Sequence, residues 1–182
     1  PDAYNRYSHA LTSNNLIYAA EAFILICLIA HVVLAISITR QNQAARPSNY
    51  VASSSTEKKT SLASKTMAIH GLIILAFLIV HLLGFKFAVL GSYYETVVDG
   101  IVVRDLFRSV REAFLNPEYV LGYCVALLFV GAHVSHGFGS LFQSFGLSNR
   151  VYSKKLKVLS VGYAAVVTLG FVAPPIYLLI MK

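Results

Sequence analysis

The sequence predicts an all-α protein, a polytopic transmembrane helical bundle of four spans forming a single domain over residues 1–182. Three observations predict it. The chain is 57% hydrophobic and only 13% charged, with a mean hydropathy of +0.65, too apolar for a water-soluble domain of this length. Its apolar residues fall into four runs, each long enough at about 1.5 Å per residue to cross a hydrocarbon core of about 30 Å. Finally, 15 Lys and Arg against 8 Asp and Glu sit mostly in short clusters between those runs. Such placement sets orientation in a membrane and argues against a nucleic-acid partner.

Residues 1–15 carry Tyr4, Asn5, Arg6, Tyr7, Ser8 and His9 without an apolar core, and read as a loop entering a helix. They contain no secretory leader pattern. The first span, 16–38, has only Glu21 and His31 as ionisable residues. A polar connector, 39–65, sets Arg40, Arg46, Lys58, Lys59 and Lys65 against Glu57, the excess that marks a cytoplasmic loop.

The second span, 66–90, has His70 near its start, His81 in its far half and Lys86 within snorkelling reach of the far interface. In the outer loop that follows, Arg104, Arg108 and Arg111 are balanced by Glu95, Asp99, Asp105 and Glu112. Within it Val103, Leu106, Phe107, Val110 and Phe114 recur at helical spacing, so a short surface helix is expected inside 96–114.

The third span, 119–145, contains His133-Val134-Ser135-His136-Gly137-Phe138-Gly139-Ser140. Loop 146–157 carries Arg150, Lys154, Lys155 and Lys157 and is cytoplasmic by charge, and the last span covers 158–181. In that span Pro174-Pro175 is expected to kink or unwind the helix. Cys27 and Cys124 lie inside apolar runs with no CxxCH or zinc spacing, and read as packing residues.

Ionisable side chains at membrane depth are costly and usually serve transport, proton relay or a cofactor. A lone histidine there is more often a packing or hydrogen-bonding residue than a ligand. Histidines in three of four spans, two of them one turn apart beside glycine, weigh toward a flat iron-bearing cofactor held between facing helices. Counted from the cytoplasmic edge, His31 lies about 13 Å deep, His81 about 24 Å, His133 about 20 Å and His136 about 15 Å. Arithmetic therefore slightly prefers His136 as the partner of His31. At about 7 Å, His70 is too shallow for iron but within reach of a haem propionate or a quinone head group.

Several motifs together carry a resemblance. They are Tyr4-Asn5-Arg6-Tyr7-Ser8 before Leu16-Ile17-Tyr18-Ala19-Ala20-Glu21, then His31 and Arg40-Gln41-Asn42-Gln43-Ala44-Ala45-Arg46-Pro47. Further on come Ala63-Ser64-Lys65-Thr66-Met67, His81-Leu82-Leu83, His133-Val134-Ser135-His136-Gly137-Phe138 and Gln143-Ser144-Phe145-Gly146-Leu147. Over nearly its whole length the chain resembles the dihaem cytochrome b anchor, b558 type, of succinate dehydrogenase and fumarate reductase.

The resemblance implies two b haems in a five-helix bundle. His31 and His133 would be axial ligands of the haem nearer the cytoplasm, and His81 would hold the outer haem. His136 would hydrogen-bond a propionate or the backbone. It further implies electron relay between membrane quinone, menaquinone above others, and attached flavoprotein and iron–sulfur subunits in a bacterial cytoplasmic membrane. The dicarboxylate chemistry would lie on a partner, and this chain would be the quinone-reactive subunit. Here only four spans are present, so the resemblance implies that the family's first helix, with the outer haem's second ligand, is missing from this sequence.

Glu21, the carboxylate well inside a span, is the candidate for quinone-linked proton transfer, although pairing with a helix terminus or hydroxyl explains it equally well. Tyr4, Tyr7 and His9 could line an outer quinone pocket or be ordinary loop polarity. Two other readings remain open: the cytochrome b anchor of another quinone-linked dehydrogenase, such as formate dehydrogenase or hydrogenase, and a haem-free transporter with a histidine relay.

Overall fold

The computed structural model describes residues 1–44, 62–149 and 151–181. Arg46, Glu57, Lys58 and Lys59 of the first basic connector, and Arg150 of the second, lie outside the described residues. The elements in order are α1 (Asp2–Thr12), α2 (Leu16–Ala44), α3 (Leu62–His81), a π-helical turn (Leu82–Lys86), β1 (Glu95–Val98), β2 (Ile101–Arg104), α4 (Leu106–Phe114), α5 (Pro117–Ser144) and α6 (Ser153–Ile180). Four of them are long and apolar enough to cross a membrane. Few apolar side chains are buried inside the protein, among them Val120, Ala126, Leu127 and Ala164, while large ones such as Phe23, Ile26, Leu34, Leu128, Val166 and Phe171 are exposed. So broad an apolar surface suits hydrocarbon as solvent and not water.

In lipid, apolar burial contributes little to helix association, so close backbone approach has to supply the contact. The α5–α6 pair, the most extensive packing in the described residues, does so through small residues. A Cβ on Gly131 would fall 2.3 Å from Thr168 Oγ1, and one on Gly139 would fall 3.5 Å from Ser160 Oγ. The contacts run antiparallel, with Phe138 stacked on Tyr163 at 4.6 Å between ring centres.

Helix α3 also lies antiparallel to α5. Gly71 meets His133 near one end of the pair, and Gly84 meets the Tyr119 hydroxyl near the other. By contrast α2 touches the bundle lightly and has no buried residue.

At one end of the bundle, taken as the outer end from the charge of the loops, sits a small cap made of α1, the β1–β2 hairpin and α4. Residues 2–12, expected as loop, are helical. The reason is tertiary: Asn5, 1% exposed, donates from Nδ2 to Asp105 Oδ1 at 2.7 Å and accepts from the Phe107 amide at 3.0 Å. One side chain thereby ties α1 to the start of α4, whose first turn Asp105 caps by accepting from the Arg108 amide at 3.0 Å. Arg6 holds the hairpin turn through two bonds to Asp99, of 2.7 and 2.8 Å.

The surface helix expected within 96–114 begins only at Leu106; residues 95–104 form the hairpin instead. Asp99 (φ 53°) and Gly100 (φ 77°) both adopt left-handed backbone, the two-residue turn that Asp-Gly between valine-rich strands favours. That dipeptide outweighs the helical spacing of the residues around it.

Span boundaries also move. Helix α2 runs on to Ala44, six residues past the expected end, because Arg40 to Gln43 are compatible with helix outside the hydrocarbon, and Gln41 donates to Ser37 Oγ at 3.0 Å. Helix α3 starts at Leu62, before the expected 66, and helical structure stops at Lys86 instead of reaching 90. There the chain turns back so tightly that a Cβ on Gly91 would lie 2.6 Å from the Gly84 carbonyl oxygen. Asn116 caps α5 two residues early, accepting from the Glu118 amide at 2.9 Å with Pro117 at the first helical position. Helix α6 starts at Ser153 and continues to Ile180 through Pro174-Pro175 without an unwound residue. The prolines remove two helical donors near the C-terminal end, and the rest of the ladder persists.

Candidate functional site

Two levels of histidine follow from this packing. At the inner level His31 of α2 faces His133 of α5, with ring centres 6.0 Å apart and planes at 78°. Counted from the observed helix ends at Ala44 and Ser144, the two stand about 20 and 17 Å from that side of the bundle. The longer α2 thus reverses the preference for His136 given by the shorter span. His136 is half-buried and makes no hydrogen bond or ring contact among the described residues.

His70 is at nearly the same level, contrary to its expected shallow position. Its ring lies 5.5 Å from Phe129, and a Cβ on the neighbouring Gly71 would stand 3.7 Å from His133 Cε1. The earlier start of α3 places His70 about 12 Å from that helix end. Nδ1 of His70 and Nδ1 of His133 are both buried without a hydrogen-bond partner.

The His31–His133 spacing is an ordinary ring-contact distance, equal to that of His81 and Phe77, and it is also one that two imidazoles on opposite sides of a single ion would show. With a metal–nitrogen bond of about 2 Å and a ring centre about 1 Å behind the nitrogen, two imidazoles on one ion stand about 6 Å apart centre to centre. No group of three or more His, Cys, Asp or Glu able to hold a metal occurs among the described residues. Two imidazoles alone would serve only a metal that brings its other donors with it.

At the outer level His81, the last residue of α3, hydrogen-bonds through Nδ1 to the hydroxyl of Tyr123 on α5. Aromatic rings surround the pair: Phe77 and Phe85 lie 6.0 and 5.4 Å from the His81 ring, and Phe114 and Tyr119 lie 5.0 and 5.7 Å from Tyr123. Along α5 the Tyr123 and His133 positions are about 15 Å apart. No second histidine contacts His81 among the described residues.

Glu21 does not point freely into the bundle. It forms an ion pair with Lys86, and both side chains are 40% exposed. This bond joins the outer end of α2 to the end of the π turn. Lys86, expected to snorkel outward, therefore has a carboxylate partner, and its carbonyl accepts from Arg104 Nη1 at 2.9 Å. A shallow apolar groove of about 220 Å³, lined by Leu11, Asn14, Leu16, Ile17 and Ala20, lies between α1 and α2 just before Glu21.

Tyr4 packs edge-on against Phe107 at 6.1 Å, while Tyr7 and His9 are exposed on α1 and line no part of that groove. Farther out in the cap, the Tyr94 hydroxyl donates to Glu112 and Arg108 Nε donates to the same carboxylate at 2.8 Å. The Tyr94 hydrogen bond, then Arg108, hold Glu112 below the usual carboxylate range, and Glu112 in turn raises Arg108.

The fold and the site define a bundle with four membrane-length helices in which His31, exposed on α2, meets the half-buried His133 of α5. No family model, no curated protein and no solved structure matches this chain. Tyr123 and Lys86 are the site residues that sequence reasoning passed over. A tyrosine ten positions before His133 has no pattern that separates it from packing aromatics, whereas Lys86 and Glu21 at opposite ends of adjacent spans could have been paired by depth.

Proposed function

We propose that this chain is a haem b-bearing membrane anchor that relays electrons between membrane quinone and a succinate- or fumarate-active flavoprotein through an iron–sulfur partner. The observation carrying the haem part is the approach of His31 and His133 from two membrane-length helices at a spacing suited to a single iron. The succinate part rests on the sequence resemblance. His31 and His133 would hold the inner haem, and His81 would supply one ligand to the outer one. Bound haem supplies one-electron transfer, which lets charge cross hydrocarbon that an ion crosses only at high cost.

The chain's own residues do the remainder. The aromatic side chains around His81 exclude water from that level. Glu21, whose carboxylate is paired with Lys86, would be the proton acceptor when a quinol is oxidised at that end of the bundle. His70 stands at the level of the His31–His133 pair with an unpartnered Nδ1, a donor or acceptor for a cofactor's polar edge.

Two measurements test the reading. The complex purified gently from membranes should show b-type bands in a reduced-minus-oxidised spectrum and become reduced on adding succinate. Replacing His31 or His133 with Ala should each remove one haem per complex. A complex without b-type absorption, or both variants keeping their full haem, would refute the haem assignment. Co-purification with a formate- or hydrogen-oxidising partner would move the chain to another quinone-linked enzyme.

A further inference from the structure

We infer that one face of the β1–β2 hairpin is a lipid contact: Val97 and Val102 rest in the boundary between headgroups and acyl chains of the leaflet at the cap end of the bundle. The inference needs only the membrane-length helices and stands whether or not a cofactor is bound.

Side chains alternate along a strand, and residues directly paired across an antiparallel ladder share a face. The register pairs Thr96 with Val103, Val97 with Val102 and Glu95 with Arg104. Val98 and Val103 are buried in the cap, at 7% and 5% exposure, whereas Val97 and Val102 on the opposite face are 64% and 62% exposed. Arg104 leaves the strand from that same exposed face and donates from Nη1 to the Lys86 carbonyl at 2.9 Å. Lys86 is where the helical structure of the second span stops, and its ion pair with Glu21 puts charge at the end of two spans. Charge of that kind marks the level at which the bundle leaves hydrocarbon. The bare valines are therefore turned toward the membrane boundary.

The surface leading to them is apolar as well. Ile79 and Val80 are exposed on α3, and past the π turn Phe87, Val89 and Leu90 are exposed in the same way. Tyr93 follows, with the Arg104 guanidinium 5.2 Å from its ring centre, an amphipathic aromatic of the type that concentrates at membrane interfaces. Lipid, already the solvent of the α3 surface, is thus the occupant that the hairpin face continues to meet. Depth is limited by the backbone. A two-stranded sheet leaves unpaired groups on both edges, which hydrocarbon would not satisfy but the hydrated headgroup layer can. The exposed Arg6–Asp99 pair holds the turn of the hairpin on the water side.

The chain contains no tryptophan, so an introduced indole reports alone. The full chain carrying Val102→Trp, reconstituted in phosphatidylcholine–phosphatidylglycerol vesicles, should emit at shorter wavelength than an indole in water. It should lose intensity, relative to unbrominated vesicles, when the lipid carries bromine near the headgroup end of its acyl chains, and lose less with bromine at the methyl end. Leu128→Trp, exposed inside α5, should show the reverse order. Val97→Trp carries the test should the Val102 variant fail to assemble.

Emission at the wavelength of an indole in water, quenched by iodide and indifferent to brominated lipid, would overturn the lipid contact. So would an indole at position 102 shielded from both quenchers, which would assign the face to a second copy or another protein. An indole at position 128 that brominated lipid leaves unquenched would refute the membrane reading beneath the inference.

Discussion

Substituting Gly131 with Ala probes the contact on which the position of His133 depends. The new Cβ would meet Thr168 Oγ1 at 2.3 Å, with Thr168 Cβ and Cγ2 at 3.4 and 3.5 Å. Threonine has no long flexible end to withdraw, and its χ1 is restricted in a helix. The α5–α6 pair must therefore separate locally, an overpacking cost of about 1–3 kcal/mol, against which alanine returns about 1 kcal/mol of helix propensity. The expected net loss is therefore at most about 2 kcal/mol.

Thr168→Ala removes the hydroxyl and methyl but leaves Cβ, 3.4 Å from the new methyl, an ordinary contact. The double variant should then be close to wild type, giving a coupling of about 2 kcal/mol in a double-mutant cycle. Reversible unfolding in detergent micelles measures all four corners. On the haem reading, because Gly131 precedes His133 by two positions on α5, the single variant should also lose haem occupancy and the double variant should recover it. Two variants whose effects simply add would refute this account of the helix interface.

Two further expectations concern the cap. Asn5→Ala leaves the Phe107 amide and Asp105 without their α1 partner, so the cap should lose about 1–3 kcal/mol, read as faster amide exchange across residues 2–12 and 106–114. Unchanged exchange would show that Asn5 does not hold α1 in place. Glu112 has its folded-state pKa lowered, first by the Tyr94 bond and then by Arg108, so its contribution is present above the ordinary carboxylate pKa and is lost as pH falls through the depressed value. Amide exchange in α4 should accelerate on acidification below that range in the wild type. In Glu112→Gln the acid-dependent step should disappear, and a step that persists would assign the acid response elsewhere.

The membrane-length helices were legible in the sequence because they answer to one variable, the length of an apolar run. Their ends were not, since Arg40 to Gln43 and Leu62 to Lys65 can be helix whether or not hydrocarbon surrounds them. That error carried into the site. Shifting the reference end of α2 to Ala44 is what brings His31 level with His133, and shifting the start of α3 lifts His70 beside Phe129. The cap was largely illegible for a different reason. The Asp99-Gly100 turn is a local signal that the helical spacing of its neighbours masks, whereas the helicity of residues 2–12 depends on Asn5 meeting Asp105, a hundred positions away. The Tyr123 bond to His81 likewise depends on the relative rotation of two helices, which periodicity does not fix.

The packing of α2 links the fold to the proposed cofactor. Buried small residues bring α5 and α6 together, but α2 has no such contact and no residue buried against the bundle. In lipid its apolar side chains gain little by leaving hydrocarbon for protein, so its position has to be set by polar ties. One is evident, Glu21 to Lys86 at the outer end, and the second link is the edge-on ring contact of His31 and His133 at the inner level. The ion pair is 40% exposed on both sides, and an isolated pair of that kind contributes on the order of 1 kcal/mol or less. On the haem reading the second tie becomes a pair of coordinate bonds bridging α2 and α5. Metal–ligand free energy then adds directly to the stability of the assembled bundle. The same imidazoles that would carry electrons would hold α2 in register, so electron transfer and helix assembly would be two consequences of one contact.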